Sequence, residues 1–341
     1  MNTKSNKILN ITKMVKNYPG VKALDKVDFD LYEREVHGLV GENGAGKSTL
    51  IEILAGSVIP DSGKVELYYN NEVKEYSSFN PDKSIALGIQ TIHQDSKLIE
   101  GMTVAENIFL RSLKLNRAKI FSIRLCQEAT SELFKSLKIN IPPGRLVEDL
   151  STAGKKLVCI AKAFSEEVKI LILDEPTSSL DEEGKENLFR IINTIIEKGV
   201  GVIYISHNLD EIFDIAHRVT VLKDGKKVGT HLVKDIDDDT IVKEMIGRSA
   251  STFYEREKIE TKKDKLEVKN YTRQGFVYDV SFEVRRGEIF GIGGMVGSGR
   301  TELARLIFGL DKKDSGKLIF QGRDITPKTP GDAVTNGIGY L

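Results

Sequence analysis

The sequence predicts an α/β fold in which one domain is followed by the first part of a second copy of itself. A glycine-rich loop at 41–49 separates an apolar run, 36–40, from a helical run, 50–54, which gives a strand–loop–helix arrangement. Two further apolar runs, 170–173 and 201–205, are short and end in polar residues, as buried parallel strands do in α/β proteins. Blocks of sequence also recur 253 residues later, which indicates a duplicated domain.

The loop at 41–49 fits the phosphate-binding pattern G-x-x-x-x-G-K-[ST]. Its glycines allow the backbone to curl so that successive N–H groups point at phosphate oxygens, and the start of the next helix adds partial positive charge. Lys47 would reach the β- and γ-phosphates, and the Ser48 hydroxyl would hold Mg²⁺. The motif predicts a site for a nucleoside triphosphate with Mg²⁺, formed by Gly41, Glu42, Asn43, Gly44, Ala45, Gly46, Lys47, Ser48 and Thr49.

Two acidic residues end the apolar run at 170–173. Carboxylates at the C-terminal end of a buried parallel strand lie where an open α/β sheet binds its ligand. Asp174 is therefore a candidate for the Mg²⁺ shell, and Glu175 for the group that polarises the attacking water. On their own, these acids would be read as a solvated turn, and the phosphate loop is what favours the catalytic interpretation.

Two more polar residues follow strand-like runs. His207 comes after the run at 201–205 and is a candidate for contacting the γ-phosphate or ordering the attacking water. Gln94 follows the run at 88–92 and is a candidate for contacting Mg²⁺ or water. Taken alone, Gln94 is better interpreted as an ordinary polar loop residue.

The internal repeat keeps a constant register and defines the domains. Its matched positions are Val27 with Val280, Phe29 with Phe282, Glu35 with Glu288, and 61–64 with 314–317. The charged, turn-poor stretch between the copies reads as an exposed linker. We predict a first domain at 1–248, a linker at 249–264, and the N-terminal part of a second, degenerate domain at 265–341. Because the match with copy one stops soon after Gly337, the chain is expected to be a fragment of a longer protein.

The second copy has a phosphate loop with one departure from the pattern. Arginine stands where the first copy has Lys47, and a planar guanidinium fork is no simple substitute for a compact ammonium group in a tight cradle. This degenerate loop comprises Gly294, Gly297, Gly299, Arg300 and Thr301.

Composition limits the function classes. Lys plus Arg and Asp plus Glu number 50 each, so nothing in the overall charge indicates nucleic acid or anionic lipid as a partner. The two cysteines, Cys126 and Cys159, have no paired spacing, which argues against a disulfide framework or a zinc site. No apolar run approaches the length of a membrane span, so a membrane role would come through partners.

The order of these motifs resembles that of an ABC ATPase domain. Finer strings resemble the ATP-binding subunits of bacterial ribose- and galactose-type sugar importers, which carry two fused ABC domains. They are the strings at 18–24, 103–108 and 204–213, together with Gly299-Arg300-Thr301-Glu302-Leu303-Ala304-Arg305 in the second copy.

This resemblance implies a P-loop NTPase fold of the ABC type, with a mixed sheet, helices, and antiparallel and helical subdomains. It implies that Tyr18 stacks on adenine and that Ser151, Ala153 and Gly154 form the signature segment. At the signature the chain departs from the family, because alanine and glycine stand where glycine and glutamine are usual. The resemblance also places Arg300 and the Ala153 signature in one composite ATP site, so we expect an asymmetric pair of sites.

The implied function is ATP hydrolysis that energises monosaccharide import at the cytoplasmic face of the membrane. The implied partners are integral-membrane permease subunits and, indirectly, a periplasmic or lipoprotein sugar-binding protein, with no nucleic acid. This fragment is expected to be weakly active, because the second signature would lie beyond residue 341. The alternatives are a nucleoside importer of the same design, a soluble tandem ABC ATPase acting on ribosomes or DNA, and a fragment that binds ATP without turnover.

Overall fold

A computed structural model describes residues 6–69, 72–93, 98–110, 122–247, 262–295 and 297–341, without the side chains of 262 and 263. The chain forms two compact units, Met1–Phe253 and Tyr254–Leu341, which are described separately. Gln94 and the stretch 249–261 of the expected linker lie outside the described residues.

The first unit alternates strands and helices along the chain. Its strands β1 to β10 are Lys7–Tyr18, Val21–Tyr32, Val36–Val40, Ser62–Tyr69, Glu72–Tyr76, Ile89–Ile92, Ile170–Asp174, Gly201–Ile205, Arg218–Lys223 and Lys226–Leu232. Its helices α1 to α8 are Lys47–Ala55, Pro81–Ala86, Val104–Phe109, Ile123–Leu137, Thr152–Ala163, Glu182–Glu197, Leu209–Ile215 and Asp238–Ile246, with 3₁₀ turns at Val147–Asp149 and Val233–Asp235.

A mixed sheet carries the predicted site. Its strand order is β10-β9-β3-β8-β7-β6, and all its neighbouring pairs are parallel except β10 with β9. Strands β3 and β8 are buried throughout, which is why neither alternates apolar and polar residues; His37 is the one ionisable residue in β3. Because β3, β8 and β7 are adjacent and parallel, their C-terminal ends lie side by side at one edge of the sheet.

An antiparallel sheet completes the first unit. Its order is β2-β1-β4-β5, and β1 and β2 pair as a long hairpin that turns after Tyr18. Helix α1 contributes Leu50 and Leu54 to a core shared with Leu31 of this sheet and Ile172 of the mixed sheet. The helix that begins at the phosphate loop is thus fixed by apolar burial against both sheets. Among the described helices, none combines the length and apolar character of a membrane span.

The second unit is smaller. Its elements are β11 (Lys262–Arg273), β12 (Val277–Arg286), β13 (Ser315–Phe320), β14 (Arg323–Asp324), α9 (Arg300–Ile307) and α10 (Pro330–Thr335). The strands form an antiparallel sheet in the order β12-β11-β13-β14, and Tyr271 and Leu303 lie in its core. Residues 288–295, which correspond in register to the β3 region, form no strand. In the first unit β3 is held by β8 and β9, whereas no described strand pairs with residues 288–295.

A buried histidine in β3 makes the first unit sensitive to acid. His37 is fully buried, stacks on Phe29 with ring centroids 4.4 Å apart, and hydrogen-bonds through its two ring nitrogens to the Asp30 carbonyl and the Thr220 hydroxyl, each at 2.8 Å. Burial lowers the pKa of His37 to about 3, and the Arg218 charge acts in the same direction. Below the ordinary pKa of 6.5 the unfolded chain takes up a proton that the native state does not, so stability falls as the pH falls.

We therefore expect the free energy of unfolding to drop by about 2 kcal/mol between pH 7 and pH 5 through this histidine. Denaturant unfolding followed by circular dichroism at both pH values measures the drop. In His37→Gln the drop should shrink by that amount, whereas His231→Gln, which alters a half-exposed histidine paired with Glu244, should keep it. Equal drops in wild type and His37→Gln would contradict the assignment.

Candidate nucleotide-binding and catalytic site

The phosphate loop runs from the end of β3 to the start of α1 and is held from behind by backbone. Gly46, the residue before α1, has φ +102°, and a Cβ there would lie 2.5 Å from the Ala23 carbonyl oxygen. At Gly41 a Cβ would collide with the Leu222 carbonyl oxygen. The turn between β9 and β10 contributes a hydrogen bond from the Gly225 N–H to the Ala45 carbonyl, at 3.2 Å. The glycines are therefore required by packing as well as by the curl of the loop.

Gly46→Ala is expected to weaken ATP binding by more than about tenfold, because the loop must move away from Ala23 and leave its phosphate-binding shape. Titration with a fluorescent ATP analogue measures the effect. The matched control is Gly199→Ala, since Gly199 has φ +97° and a Cβ there would meet nothing within 4 Å. That variant should lose some stability through backbone strain and keep its affinity. Equal affinities in the two variants would contradict the expected role of Gly46.

Lys47 lies at the first position of α1 and folds back over the loop. Its Nζ donates to the carbonyl oxygens of Gly41 at 2.7 Å and Glu42 at 3.0 Å. Burial lowers the pKa of Lys47, while the charges of Glu175 and Asp174 act in the opposite direction. The ammonium group therefore lies within the electrostatic reach of both carboxylates, as the sequence predicts for a single phosphate and metal site.

Asp174 is the last residue of β7 and is partly buried. Burial raises the pKa of its carboxyl, and the Glu175 charge adds to this, while His93, Lys47 and Lys156 act against it. A bound divalent cation would favour the ionised form of Asp174 further. The carboxylate of Asp174 and the hydroxyl of Ser48 at the start of α1 are oxygen donors of the kind that Mg²⁺ prefers, so these residues fit the predicted ion.

Glu175 and His207 meet at the edge of the sheet. The His207 Nδ1 and Glu175 Oε1 are 3.1 Å apart, and the side chains are 69% and 24% exposed, respectively. Glu175 has φ +44°, a left-handed conformation that is uncommon for a residue with a side chain. Its N–H donates to the Ile205 carbonyl at 3.0 Å, which ties the end of β7 to the end of β8. Such backbone strain is typical of functional sites.

The predicted adenine-stacking and signature residues lie in separate parts of the first unit. Tyr18 is at the tip of the β1–β2 hairpin, 40% exposed, with the Lys16 ammonium 5.4 Å from its ring centroid. Ser151 caps α5, and its Oγ accepts a hydrogen bond from the Gly154 N–H at 3.2 Å. The Ala153 methyl faces α6, where a Cβ at Gly184 would lie 3.2 Å from it. The methyl thus packs within the unit, beside a glycine that leaves room for it.

The second phosphate loop repeats the backbone of the first at two glycines. Gly297 and Gly299 have φ +81° and +86°, and a Cβ at Gly299 would lie 2.5 Å from the Phe276 carbonyl oxygen, as one at Gly46 would from Ala23. Arg300 starts α9 and is exposed, and Thr301 follows it. Gly294 lies in the segment that forms no strand. The backbone conformation at Gly297 and Gly299 is therefore kept, while the strand that would precede the loop is absent from residues 288–295.

Sequence reasoning missed residues that support the site from behind. Gly225 backs the phosphate loop, and Glu211 is a carboxylate only 5% exposed behind Glu175 and His207. The available signal for Glu211 was its place in the first turn of a helix, directly after Asp210. That signal is equally typical of a solvated helix start, so it did not distinguish a buried carboxylate.

Comparisons of sequence support a family assignment. A model of the family described as "ABC transporter" matches residues 24–178 and 277–341. The chain is 45% identical over 335 residues to "Ribose import ATP-binding protein RbsA 3" of Rhizobium meliloti, covering 98% of this chain and 65% of that protein. It is 41% identical over 335 residues to a "Putative ribose/galactose/methyl galactoside import ATP-binding protein" of Halalkalibacterium halodurans, covering 98% and 63%. The chain thus spans slightly less than two thirds of the length of these relatives.

Solved structures share the fold. The crystal structure of the ADP conformation of an ATP-binding cassette from an ABC transporter matches with a TM-score of 0.61 and 26% identity, over 71% of this chain and 99% of that one. A nucleotide-free cassette matches with a TM-score of 0.60 over 73% and 98%, and at 24% identity it supports the fold alone. The predicted ABC-type α/β fold is confirmed. Since the family model spans more than half of its residues, the chain belongs to the ABC transporter family.

Proposed function

We propose that the first unit binds ATP on the loop at 41–49 and hydrolyses it at the edge of the mixed sheet. The observation that carries this proposal is the contact between Glu175 and His207, which follow the neighbouring strands β7 and β8. Strand β8 also pairs with β3, the strand that leads into the loop. A carboxylate and an imidazole held together beside a phosphate cradle are suited to act on a water molecule that attacks a γ-phosphate.

Each residue has a distinct part in this proposal. The loop N–H groups and the Lys47 ammonium bind the phosphates, and Tyr18 offers a ring face to the adenine. Glu175 polarises the attacking water by accepting its hydrogen bond, and His207 holds Glu175 and contacts the γ-phosphate. Mg²⁺ held by Ser48 and Asp174, with Gln94 as a further ligand, would neutralise phosphate charge. Ser151, Ala153 and Gly154 present the signature segment to a partner ATP site.

We further propose that this hydrolysis energises monosaccharide import of the ribose or galactose type. The names of the two relatives at 45% and 41% identity support this substrate class. The chain would act on integral-membrane permease subunits at the cytoplasmic face of the membrane, with a sugar-binding protein acting upstream. ATP binding would pull the two ABC domains together, and hydrolysis would release them. The γ-phosphate is the contact that the domains share, and hydrolysis removes it.

Uptake of radiolabelled ribose, galactose and a nucleoside by cells of the source organism tests the substrate class. Deletion of the gene should abolish uptake of a monosaccharide, the wild-type gene should restore it, and Lys47→Ala should not. Loss of nucleoside uptake alone would favour a nucleoside importer of the same design. Unchanged uptake of all three, with the protein co-sedimenting with ribosomes or DNA, would favour the soluble tandem ATPase.

A further inference from the structure

Glu211 is a buried carboxylate that the proposed chemistry does not use. It lies in α7, is 5% exposed, and accepts three hydrogen bonds. Its Oε1 accepts from the Thr177 hydroxyl at 2.7 Å, and its Oε2 accepts from the hydroxyls of Tyr204 and Ser206, each at 2.9 Å. Taking a carboxylate out of water is costly, and three hydroxyl donors offset that cost.

Two of these donors belong to the segments that carry the catalytic pair. Thr177 comes two residues after Glu175, and Ser206 comes directly before His207. The Ser206 Oγ also accepts a hydrogen bond from the Asn208 N–H at 3.0 Å. This bond joins the residues on either side of His207. The Glu211 carboxylate therefore holds the segment after β7 and the segment after β8, each within two residues of the Glu175–His207 contact.

The remaining surroundings indicate a site rather than ordinary core. Glu211, Thr177 and Ser206 line a polar cleft of about 280 Å³ together with Glu175, His207 and Lys185. The Lys185 Nζ is 3.2 Å from Asp214, so the nearest described cation of this cleft has its own carboxylate partner. Hydroxyl donors, and not a direct ion pair, thus satisfy the hydrogen-bonding capacity of Glu211. Because each hydroxyl has one donor hydrogen, each bond fixes the position of its donor residue relative to the carboxylate.

We propose that Glu211 is a positioning residue: by holding Thr177 and Ser206 on one carboxylate, it sets the register of Glu175 against His207. The inference rests on the proposed hydrolysis at that pair. Glu175 is in a strained left-handed conformation, which needs restraint on both sides. The N–H of Glu175 supplies one restraint at Ile205, and Thr177 supplies the other through Glu211.

Single-turnover hydrolysis of radiolabelled ATP and binding of a fluorescent ATP analogue test this role in the full chain. Glu211→Gln and Thr177→Val should lower the rate by about tenfold, with the dissociation constant unchanged within about twofold, because misplacement acts on the chemical step. Thr177→Ser, which keeps the hydroxyl, should restore the rate. Glu244→Gln, which alters a carboxylate paired with His231 outside the site, should leave the rate unchanged.

A purely structural role is separated by Tyr204→Phe. This variant removes one hydrogen bond to the same carboxylate and leaves the bonds from Thr177 and Ser206 to Glu211 in place. Its melting temperature should fall about as much as that of Thr177→Val, with a smaller loss of rate. The positioning role is overturned if the loss of rate is proportional to the loss of melting temperature across Glu211→Gln, Thr177→Val and Tyr204→Phe.

Nuclear magnetic resonance of ¹⁵N-histidine-labelled protein gives a readout that does not depend on turnover. The chain has five histidines, and His207→Gln identifies the His207 ring signals. Glu211→Gln and Thr177→Val should shift those signals and leave the His231 signals in place. If the His207 signals do not move, the positioning role is overturned even where hydrolysis is confirmed. If they move while the wild-type chain hydrolyses no ATP, the positioning role stands and the proposed hydrolysis fails.

Discussion

Lys47→Ala is expected to weaken binding of Mg-ATP by more than about tenfold, or about 1.4 kcal/mol. The ammonium lies at the start of α1, over the loop carbonyls of Gly41 and Glu42, where it would exchange those two neutral acceptors for phosphate oxygens. Hydrogen bonds between charged groups are the stronger kind, so the loss exceeds that of an ordinary contact. Titration with a fluorescent ATP analogue measures it.

The matched control is Lys64→Ala, because Lys64 pairs with Glu66 and Glu75 on the surface of the antiparallel sheet. It should bind as wild type does. Arg300→Ala tests the second loop in the same assay and should leave the affinity unchanged. Binding that survives Lys47→Ala and disappears in Arg300→Ala would reverse the assignment of the competent loop.

Glu175→Gln is expected to lower hydrolysis by about a hundredfold or more while leaving ATP binding within about twofold of wild type. The amide keeps the size of the side chain and can still bond His207, but it lacks the negative charge that polarises water. Because turnover by this chain is expected to be slow, a single-turnover assay with protein in excess over radiolabelled ATP is the suitable measurement.

Glu167→Gln serves as the control, since Glu167 pairs with Lys169 at the surface before β7. Its rate should match wild type. Hydrolysis by Glu175→Gln at the wild-type rate would remove Glu175 from the mechanism and leave His207 as the remaining candidate of the pair.

The sequence was sufficient for the features that depend on local pattern. The glycine loop between an apolar and a helical run specified a strand, a turn and a helix, and the structure has β3, the loop and α1 there. Short apolar runs ending at Asp174 and before His207 specified parallel strands, and β7 and β8 are neighbours in the sheet. Parallel pairing brings such ends together, so the contact between Glu175 and His207 follows from strand order.

Features that depend on distant contacts were not accessible from the sequence. The burial of Glu211 depends on hydroxyls from β8 and from the segment after β7, and no local pattern records that meeting. The missing strand at 288–295 is similar, because the corresponding strand β3 is held by β8 and β9, which lie far along the chain from it. The linker and Gln94 stay predictions, since they lie outside the described residues.

The backing of the phosphate loop has a consequence for how the protein matures. The Ala23 carbonyl, the loop glycine Gly46 and the turn glycine Gly225 meet closely, and the Asp25 N–H donates to the Gly225 carbonyl at 2.7 Å. A ribosome that has made the first 200 residues has already made the whole ATP motif, yet the turn that supports it does not exist. Contacts of such long sequence separation close late, so we expect a growing chain to reach its full nucleotide affinity only near the end of the first unit's synthesis.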